Sequence, residues 1–300
     1  MRCACLVSIN TAMDDNQFTP RLTEDGSYTF FSTQFQETFH SSFGAKQEAE
    51  VRYIEPCLIK QLATQASTIR ILDVCYGLGY NSAAALEAVW SVNPECRVEL
   101  IALEIDADVP RQAVQYKLLQ EWRSPIPSIL AELSACFSLS QKYLSAKLLL
   151  GDARFTTKSL VESMWQADAI FLDPFSPRKC PQLWTVEFIR LLSKCLAPHG
   201  RLATYSASAA VRTALISAGL KIGSVSGAGR KSPGTIAAFE YKKLPPLLIM
   251  EREHLQTRAA IPYRDRSMLD SPAEIVSNRH IEQQHSQMES TSKWRKRWSV

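Results

Sequence analysis

Seven short apolar runs alternate with amphipathic stretches between residues 69 and 241. The runs are Ile69–Val74, Val98–Ile105, Lys147–Leu150, Ala169–Asp173, Arg201–Tyr205, Ile222–Val225 and Thr235–Tyr241. The clearest amphipathic stretch is Gln182–Cys195, whose apolar residues recur at helical spacing. Strands that alternate with helices form parallel sheets covered on both faces. The pattern therefore predicts a single doubly wound α/β domain with seven candidate strands.

The segments on either side of this pattern differ from it in composition. Asp25-Gly26 is a turn dipeptide, and the β-prone stretch Ser27–Ser32 follows it. Pro245-Pro246 marks a break after the last apolar run, and the polar remainder ends in Lys293–Trp298, which interleaves cations with indoles. The predicted organisation is a small hairpin and helix over residues 18–55, a main domain over 56–245, and a partly disordered C-terminal extension with a basic end over 246–300.

Composition narrows the class of protein. The chain has 300 residues, of which 46% are hydrophobic and 21% charged, so it is not disordered or of low complexity. No apolar run approaches the ~18 residues of a membrane span. The N-terminal apolar stretch Ala4–Ile9 is shorter than the ~7–15 residue core of a signal peptide. We therefore expect a cytoplasmic protein without a membrane partner, and a net charge of +4 is compatible with an anionic partner.

The cysteines and histidines give no metal pattern. None of the eight cysteines forms a CxxC pair, and the five histidines are scattered. Zinc sites need closely spaced ligands in two clusters, and a chain of this length does not need a disulfide framework. We therefore expect no metal, and we expect most of the cysteines to be small buried hydrophobic residues.

A glycine-containing corner follows the first apolar run. Asp73 closes that run, Gly77 and Gly79 follow, and Asn81 precedes the start of a predicted helix. Glycines allow a ligand to approach the backbone, and the free N–H groups of the helix start point at it. The corner lacks the full G-x-G-x-x-G fingerprint, so a plain strand-to-helix turn also explains it.

Two further acids stand at the ends of apolar runs. Glu104 ends the second run, just before Ile105, at roughly the ~20-residue spacing at which a carboxylate accepts hydrogen bonds from ribose hydroxyls. Asp152 ends the third run and is positioned to accept from an adenine amino group, while the backbone N–H of Ala153 meets a ring nitrogen. With Asp73, these acids converge at the carboxyl edge of one sheet, where open α/β sheets bind ligands.

Asp173-Pro174-Phe175 ends the fourth apolar run. It resembles the Asp/Asn-Pro-Pro-Tyr/Phe loop of amine methyltransferases. In such a loop the carboxylate and a nearby backbone carbonyl accept hydrogen bonds from a target amine, and the aromatic ring stacks on the base. Taken alone, the motif is also compatible with a structural turn after a core strand.

Together these stretches resemble one family. Residues 73–81, 171–185, 200–207 and 227–231 look like the methyltransferase of the MnmC type, as do Phe39-His40-Ser41, Gly44-Ala45 and Glu48 upstream. The resemblance covers roughly residues 19–240. That enzyme makes 5-methylaminomethyl-2-thiouridine at the wobble position of tRNA.

The resemblance implies a class I, Rossmann-like fold with a seven-stranded, mostly parallel sheet, and S-adenosylmethionine as cofactor. It implies a cofactor site formed by Asp73, Gly77, Gly79, Asn81, Glu104, Ile105, Asp152, Ala153 and Asp173. It places Asp173 and Phe175 beside the reacting amine. The chain departs from the family at Cys75, where a glycine is usual, and at Pro174. We expect the corner to tolerate Cys75 if its φ stays negative.

The resemblance also bears on the substrate. About 60 residues remain after the predicted sheet, too few for the flavin domain of the bifunctional relatives, so the chain resembles a stand-alone methyltransferase without flavin. The implied substrate is tRNA that already carries a 5-aminomethyl group, and no obligate protein partner is implied.

Several residues are candidates for contacts with RNA. The cationic pairs Arg178-Lys179 and Arg230-Lys231 could meet phosphates, although each could equally be solvated surface. Phe175 or Trp184 could stack on a flipped-out base. The segment Lys293–Trp298 is either a tRNA clamp or a disordered basic end.

Three other functions compete with this interpretation. Another amine methyltransferase, acting on a nucleic-acid base or a protein amine, would share the corner and the Asp-Pro-Phe loop. A non-catalytic RNA-binding module could have lost the cofactor, which Cys75 would favour. A dehydrogenase is disfavoured by the incomplete glycine fingerprint.

Overall fold

The computed structural model describes residues 18–225, 233–241 and 244–299, and its strands form two sheets. In chain order the strands are β1 (Pro20–Leu22), β2 (Tyr28–Ser32), β3 (Glu37–Thr38), β4 (Thr68–Val74), β5 (Arg97–Glu104), β6 (Ser138–Gln141), β7 (Leu144–Leu150), β8 (Ala167–Leu172), β9 (Leu196–Thr204), β10 (Lys221–Val225) and β11 (Gly234–Ala238). Strands β1 to β3 form a small antiparallel sheet. The others form a large sheet in the order β10-β11-β9-β8-β4-β5-β7-β6.

The large sheet confirms the predicted mostly parallel α/β architecture. Its five central strands, β9, β8, β4, β5 and β7, run parallel, while β11 pairs antiparallel with β9 and β6 pairs antiparallel with β7. The seven predicted strands are all present. The edge strand β6 was not predicted, because its sequence Ser-Leu-Ser-Gln is short and polar and carries no apolar run.

Helices cover the large sheet and connect its strands. In chain order they are α1 (Ala45–Ala49), α2 (Ile59–Gln65), α3 (Tyr80–Val92), α4 (Asp108–Gln115), α5 (Ile126–Cys136), α6 (Ala153–Glu162), α7 (Val186–Lys194), α8 (Ala209–Ser217), α9 (Ile249–His254), α10 (Pro272–His285) and α11 (Thr291–Trp298). A π-helical turn, Glu50–Ile54, directly follows α1. The helix predicted over Gln182–Cys195 begins later than expected, because the Thr185 hydroxyl caps α7 by accepting from Phe188 N at 3.2 Å.

Alternate residues of the central strands supply two separate cores. In β4, Ile69 and Ile71 belong to a cluster that includes residues of α3 and α5. Leu72 and Val74 belong to a second cluster, which includes residues of α6, α7 and α8. Because successive side chains of a strand point to opposite faces, the two clusters lie on opposite sides of the sheet. The sheet is therefore doubly wound.

The C-terminal segment corrects one prediction. The structure describes residues 246–299 as an ordered segment that contains the helices α9, α10 and α11, not as a partly disordered extension. The Trp294 side chain is 6% exposed; its indole donates to the Met250 carbonyl at 3.1 Å and its ring stacks on His254 at 4.0 Å. Arg297 forms ion pairs with Glu253 and Glu289. The indole of Trp294 is therefore not exposed for stacking on RNA, whereas contact between tRNA and the exposed cations of Lys293–Trp298 stays a prediction.

Within the same described ranges, none of the helices combines the length and the apolar character that crossing a lipid bilayer requires.

The division of the chain into three parts stays a prediction.

Candidate active site

A cavity of about 570 Å³ lies at the carboxyl ends of the central strands, beneath the N-terminal sheet. Glu104, Asp152 and Asp173, from the ends of β5, β7 and β8, all line it, together with Gly77 from the corner after β4. Its volume is in the range of small-molecule sites. Three of the four predicted acids thus share one crevice, in the position where open α/β sheets bind ligands.

The corner after β4 depends on its glycines. Gly77 and Gly79 have φ angles of +55° and +87°, which disfavour other residues. A Cβ at Gly79 would lie 2.6 Å from the Tyr76 hydroxyl, and one at Gly77 would lie 3.3 Å from the Phe39 ring. Cys75 also has a positive φ, +69°, so the condition under which we expected the corner to tolerate this residue is not met. A side chain in this conformation costs about 1–2 kcal/mol.

Glu104 holds the corner from the neighbouring strand. One carboxylate oxygen accepts from Gly77 N at 2.8 Å, and the other accepts from Ile105 N and Asp106 N at 2.8 and 3.0 Å. Burial raises the pKa of Glu104, and the three backbone hydrogen bonds oppose that rise. A carboxylate has about four acceptor positions, so one remains for a ligand hydroxyl.

Asp73 lies behind the corner and is not among the residues that line the cavity. It is fully buried, with one oxygen accepting from the Ser82 hydroxyl at 2.6 Å. Its other oxygen has no hydrogen-bond partner among the described residues. Burial raises the pKa of Asp73 well above its usual range. The side chain therefore contributes an unsatisfied acceptor behind the cavity wall, not a direct contact.

Asn81 connects the corner to the predicted catalytic acid. Its side-chain amide donates to Asp173 Oδ2 at 2.9 Å, and the Asn81 side chain is buried in the first turn of α3. We predicted Asn81 as part of the cofactor corner; in the structure it fixes one oxygen of Asp173. The sequence pattern did not indicate this pair, because 92 positions separate the two residues.

Asp152 stands at the start of α6. Its carboxylate accepts from Arg154 N at 2.9 Å, which caps the helix. Ala153 and Ile105 line the same part of the cavity, and Ile105 is 68% exposed. A carboxylate, a backbone N–H and two apolar side chains form a surface that suits a purine ring.

The loop after β8 is held at three points. The Tyr205 hydroxyl donates to the Pro174 carbonyl at 3.0 Å, and the Trp184 indole donates to the Phe175 carbonyl at 2.9 Å. Ser176 donates from its backbone N and its hydroxyl to the Glu37 carboxylate, at 3.0 and 2.6 Å. Trp184 is fully buried. The prediction that Trp184 stacks on a base is therefore wrong, because its ring lies in the core and its N–H fixes the loop.

We expect Trp184→Phe to lower the free energy of unfolding by about 1–3 kcal/mol, because the Phe175 carbonyl loses its donor. Urea unfolding measures the change. Trp165→Phe is the matched control, since Trp165 is only half-buried and lies away from this loop. An equal loss in both variants would contradict the role of the Trp184 indole.

The Phe175 ring packs against the N-terminal sheet. Phe35 stacks on it at 4.3 Å between centroids, and Phe39 meets it edge-on at 5.0 Å. Sequence reasoning gave no role to Phe35 or Glu37. The signal that could have found them is an acid and three phenylalanines within residues 31–39, directly after a predicted hairpin strand.

Tyr53 lies beside Asp173 in the buried wall of the site. It comes from the π-helical turn and is fully buried, with its ring 5.7 Å from Phe171. Burial raises the pKa of Tyr53 well above its usual range, and the Asp173 charge raises it further. Tyr53 therefore stays protonated and presents a neutral hydroxyl toward the carboxylate.

The cavity is strongly acidic. Among the residues that the structure describes, its lining contains one cation, Arg21, and six carboxylates: Glu37, Glu48, Glu104, Asp106, Asp152 and Asp173. Such a lining attracts cationic ligand groups and repels phosphates. S-adenosylmethionine fits this donor set, because it combines a sulfonium cation and an ammonium with ribose hydroxyls and an adenine amino group. The glycines of the corner allow a ligand of that size to approach the backbone.

The predicted RNA contacts are only partly described. Arg178 and Lys179 are exposed immediately after the loop that carries Asp173. Arg230 and Lys231 lie outside the described residues. In the part of the chain that the structure describes, no cluster of three or more His, Cys, Asp or Glu residues is arranged to hold a metal ion.

Comparisons with known proteins agree with this geometry. Residues 114–240 match the profile of a family of S-adenosyl-L-methionine-dependent methyltransferases. The crystal structure of MnmC2 from Aquifex aeolicus superposes with a TM-score of 0.79 and 35% identity, covering 90% of this chain and 86% of that one. The chain belongs to the MnmC-type family of S-adenosylmethionine-dependent methyltransferases.

Two curated relatives differ in how much of their own length matches this methyltransferase. The uncharacterized protein MJ0670 of Methanocaldococcus jannaschii is 30% identical over 268 residues, which is 86% of this chain and 70% of the relative. The bifunctional MnmC protein of Ralstonia nicotianae, named for tRNA 5-methylaminomethyl-2-thiouridine biosynthesis, is 30% identical over 235 residues. The methyltransferase matches only 34% of the length of that bifunctional protein.

Proposed function

We propose that this methyltransferase N-methylates the 5-aminomethyl group of uridine or 2-thiouridine at the tRNA wobble position, giving 5-methylaminomethyl-(2-thio)uridine. The observation that carries the proposal is the Asp173 carboxylate, which lies in an acidic cavity together with Glu104 and Asp152. The similarity to MnmC2 and to the bifunctional MnmC proteins supports the choice of substrate. The proposal concerns the methyl-transfer step alone.

We assign the cofactor to the deep part of the cavity. Gly77 and Gly79 form the backbone cradle, Glu104 accepts from the ribose, and Asp152 with Ala153 and Ile105 holds the adenine. Asp73 lies behind the corner and accepts from the Ser82 hydroxyl at the start of α3. When bound there, S-adenosylmethionine would supply an electrophilic methyl group for transfer to the amine nitrogen, with S-adenosylhomocysteine as the leaving group.

The protein must keep the substrate amine neutral and aligned. An alkylammonium is protonated at pH 7, by analogy with lysine, and the acidic lining favours the cation further. Asp173 accepts a hydrogen bond from the amine, takes up the proton that the nitrogen loses and releases it to solvent. Asn81 holds one Asp173 oxygen in place and so orients the carboxylate toward the amine.

The same geometry suggests how tRNA is held. Arg178 and Lys179, which are exposed just after the loop that carries Asp173, would neutralise phosphates outside the acidic lining. Phe35 replaces Trp184 as the second candidate for contact with the uracil ring, because it lies directly on Phe175. Arg230 and Lys231 stay predictions.

Transfer of labelled methyl groups tests the proposal. The purified chain is incubated with methyl-labelled S-adenosylmethionine and tRNA from cells that lack this methylation, and the digested nucleosides are analysed by mass spectrometry. We expect label in 5-methylaminomethyl-(2-thio)uridine, and none when the tRNA carries only the 5-carboxymethylaminomethyl group.

Other outcomes separate the competing functions. Label on a different base or on a protein amine would identify another amine methyltransferase. Absence of label despite binding of tRNA and S-adenosylhomocysteine would refute the proposed substrate.

A further inference from the structure

Arg154 lies between the proposed adenine site and the C-terminal segment. Its guanidinium meets both oxygens of the Asp152 carboxylate, with Nη2 to Oδ2 at 2.8 Å and Nε shared between Oδ2 at 3.1 Å and Oδ1 at 3.3 Å, a fork. Its remaining nitrogen, Nη1, donates to Asp265 Oδ2 at 2.9 Å and to the Asp270 carbonyl at 3.1 Å. The Arg154 side chain is only 11% exposed and that of Asp265 is fully buried.

Asp265 is itself fixed by several contacts. Its Oδ1 accepts from Leu269 N, Asp270 N and the Ser267 hydroxyl. Its backbone N donates to Glu187 Oε2 at 2.8 Å, which ties the segment to α7. Arg154 therefore joins Asp152 to a rigid support that is 111 residues away in the sequence.

We propose that Arg154 is a positioning residue, and that through it the C-terminal segment around Asp265 orients Asp152 for recognition of the cofactor's adenine. The inference rests on the proposed cofactor site, in which Asp152 accepts from the adenine amino group.

The arrangement explains why an aspartate at a helix start can select one base. An isolated carboxylate there rotates between rotamers, and accepting Arg154 N alone fixes one oxygen. The guanidinium fork fixes the carboxylate plane as well. About four acceptor positions exist on the carboxylate, and Arg154 makes four contacts with it, of which two share the single Nε proton. The Nε contact to Oδ1 is the longest at 3.3 Å, so Oδ1 is the oxygen at which an amino group finds room.

Binding measurements test the inference without any turnover. Calorimetry gives the affinities for S-adenosylhomocysteine and S-inosylhomocysteine, whose ring carries a carbonyl oxygen in place of the amino group. The natural chain should prefer the adenosyl compound. In Arg154→Met we expect affinity for S-adenosylhomocysteine to fall about 10- to 100-fold. We also expect the preference over the inosyl compound to shrink about tenfold, a change that a purely structural defect would not produce.

Matched variants control for charge and folding. Lys158→Met removes a cation one turn further along α6, from an exposed side chain, and should change neither affinity nor preference. Arg154→Lys keeps the charge but loses the fork and should give an intermediate preference. Because Arg154→Met leaves the buried Asp265 unpaired, the double variant Arg154→Met/Asp265→Asn removes both charges and keeps the comparison valid if the single variant does not fold.

Two results would overturn the inference. One is an unchanged preference in the Arg154 variants while Asp152→Ala loses it, because Asp152 would then act without its support. The other is tighter binding after Arg154→Met, which would show that the guanidinium competes with adenine. The inference also fails if Asp152→Ala itself leaves both affinities unchanged, because the proposed adenine site is then wrong. None of these results depends on the identity of the methylated substrate.

Discussion

Asp173→Ala is expected to lower kcat for methyl transfer by about 10³-fold, while the affinity for S-adenosylhomocysteine changes by no more than a few-fold. A positioned group that accepts a proton contributes roughly 10²–10⁴-fold to rate, and the variant also loses the hydrogen bond that aligns the amine. Single-turnover transfer of labelled methyl to tRNA measures the rate, and calorimetry measures the affinity.

The neighbouring residues supply the controls for Asp173. Asp168→Asn removes a carboxylate from the other end of β8, where it accepts from Arg70 N, and should leave transfer unchanged. Asn81→Ala frees one oxygen of Asp173 and should cost about tenfold in kcat, since it removes one hydrogen bond to a charged group. Transfer by Asp173→Ala at the natural rate would refute the catalytic assignment.

The central sheet could be predicted because its strands are apolar and regularly spaced. Parallel strands buried on both faces read as continuous apolar runs, and each predicted run corresponds to a strand. The edge strand β6 could not be found this way, since only Leu139 of its four residues is buried. The packing of the C-terminal helix α11 was not predicted for a related reason. Its composition is basic and polar, and the burial of Trp294 depends on α9, more than forty residues away in sequence.

The strand-end acids were predictable for a geometric reason. Parallel strands place their carboxyl ends at one edge, so Glu104, Asp152 and Asp173 meet once the strands are known. The contacts that hold these acids were not predictable, because Asn81 reaches Asp173 across 92 positions and the Asp265 that holds Arg154 lies 111 positions away from it. Trp184 shows that residue type alone does not determine a role in the site, since a tryptophan near a catalytic motif fixes the backbone as readily as it stacks on a base.

Cys75 has a backbone conformation that its residue type does not indicate. We expected the corner to tolerate Cys75 if its φ stayed negative, yet the turn between Val74 and Gly77 keeps the left-handed conformation that a glycine would adopt freely. Tertiary contacts of the corner, above all the hydrogen bond from Gly77 N to Glu104, hold the strained conformation in place.

Glu104→Gln is expected to weaken binding of S-adenosylhomocysteine about 100-fold. Each hydrogen bond to a charged group is worth roughly 1.5–3 kcal/mol, and the variant loses the ribose contact. It also sets an amide NH₂ against backbone donors, because both Glu104 oxygens accept from N–H groups. Glu99→Gln on the same strand removes only a partly exposed ion pair with Arg70 and should bind normally.

The pH dependence of cofactor binding distinguishes the effect of the Glu104 charge from the effect of the shape of its side chain. Burial raises the pKa of Glu104, so the carboxylate is protonated at a higher pH than an exposed glutamate. Affinity for S-adenosylhomocysteine should therefore fall as the pH drops through that raised pKa, while Glu104→Gln binds with the same weak affinity throughout. The raised pKa also makes the free energy of unfolding depend on pH. Its stabilising contribution is complete below the ordinary pKa of glutamate and is lost as the pH rises through the raised value. A natural chain whose affinity does not change over this range would show that the Glu104 carboxylate does not contact the ribose.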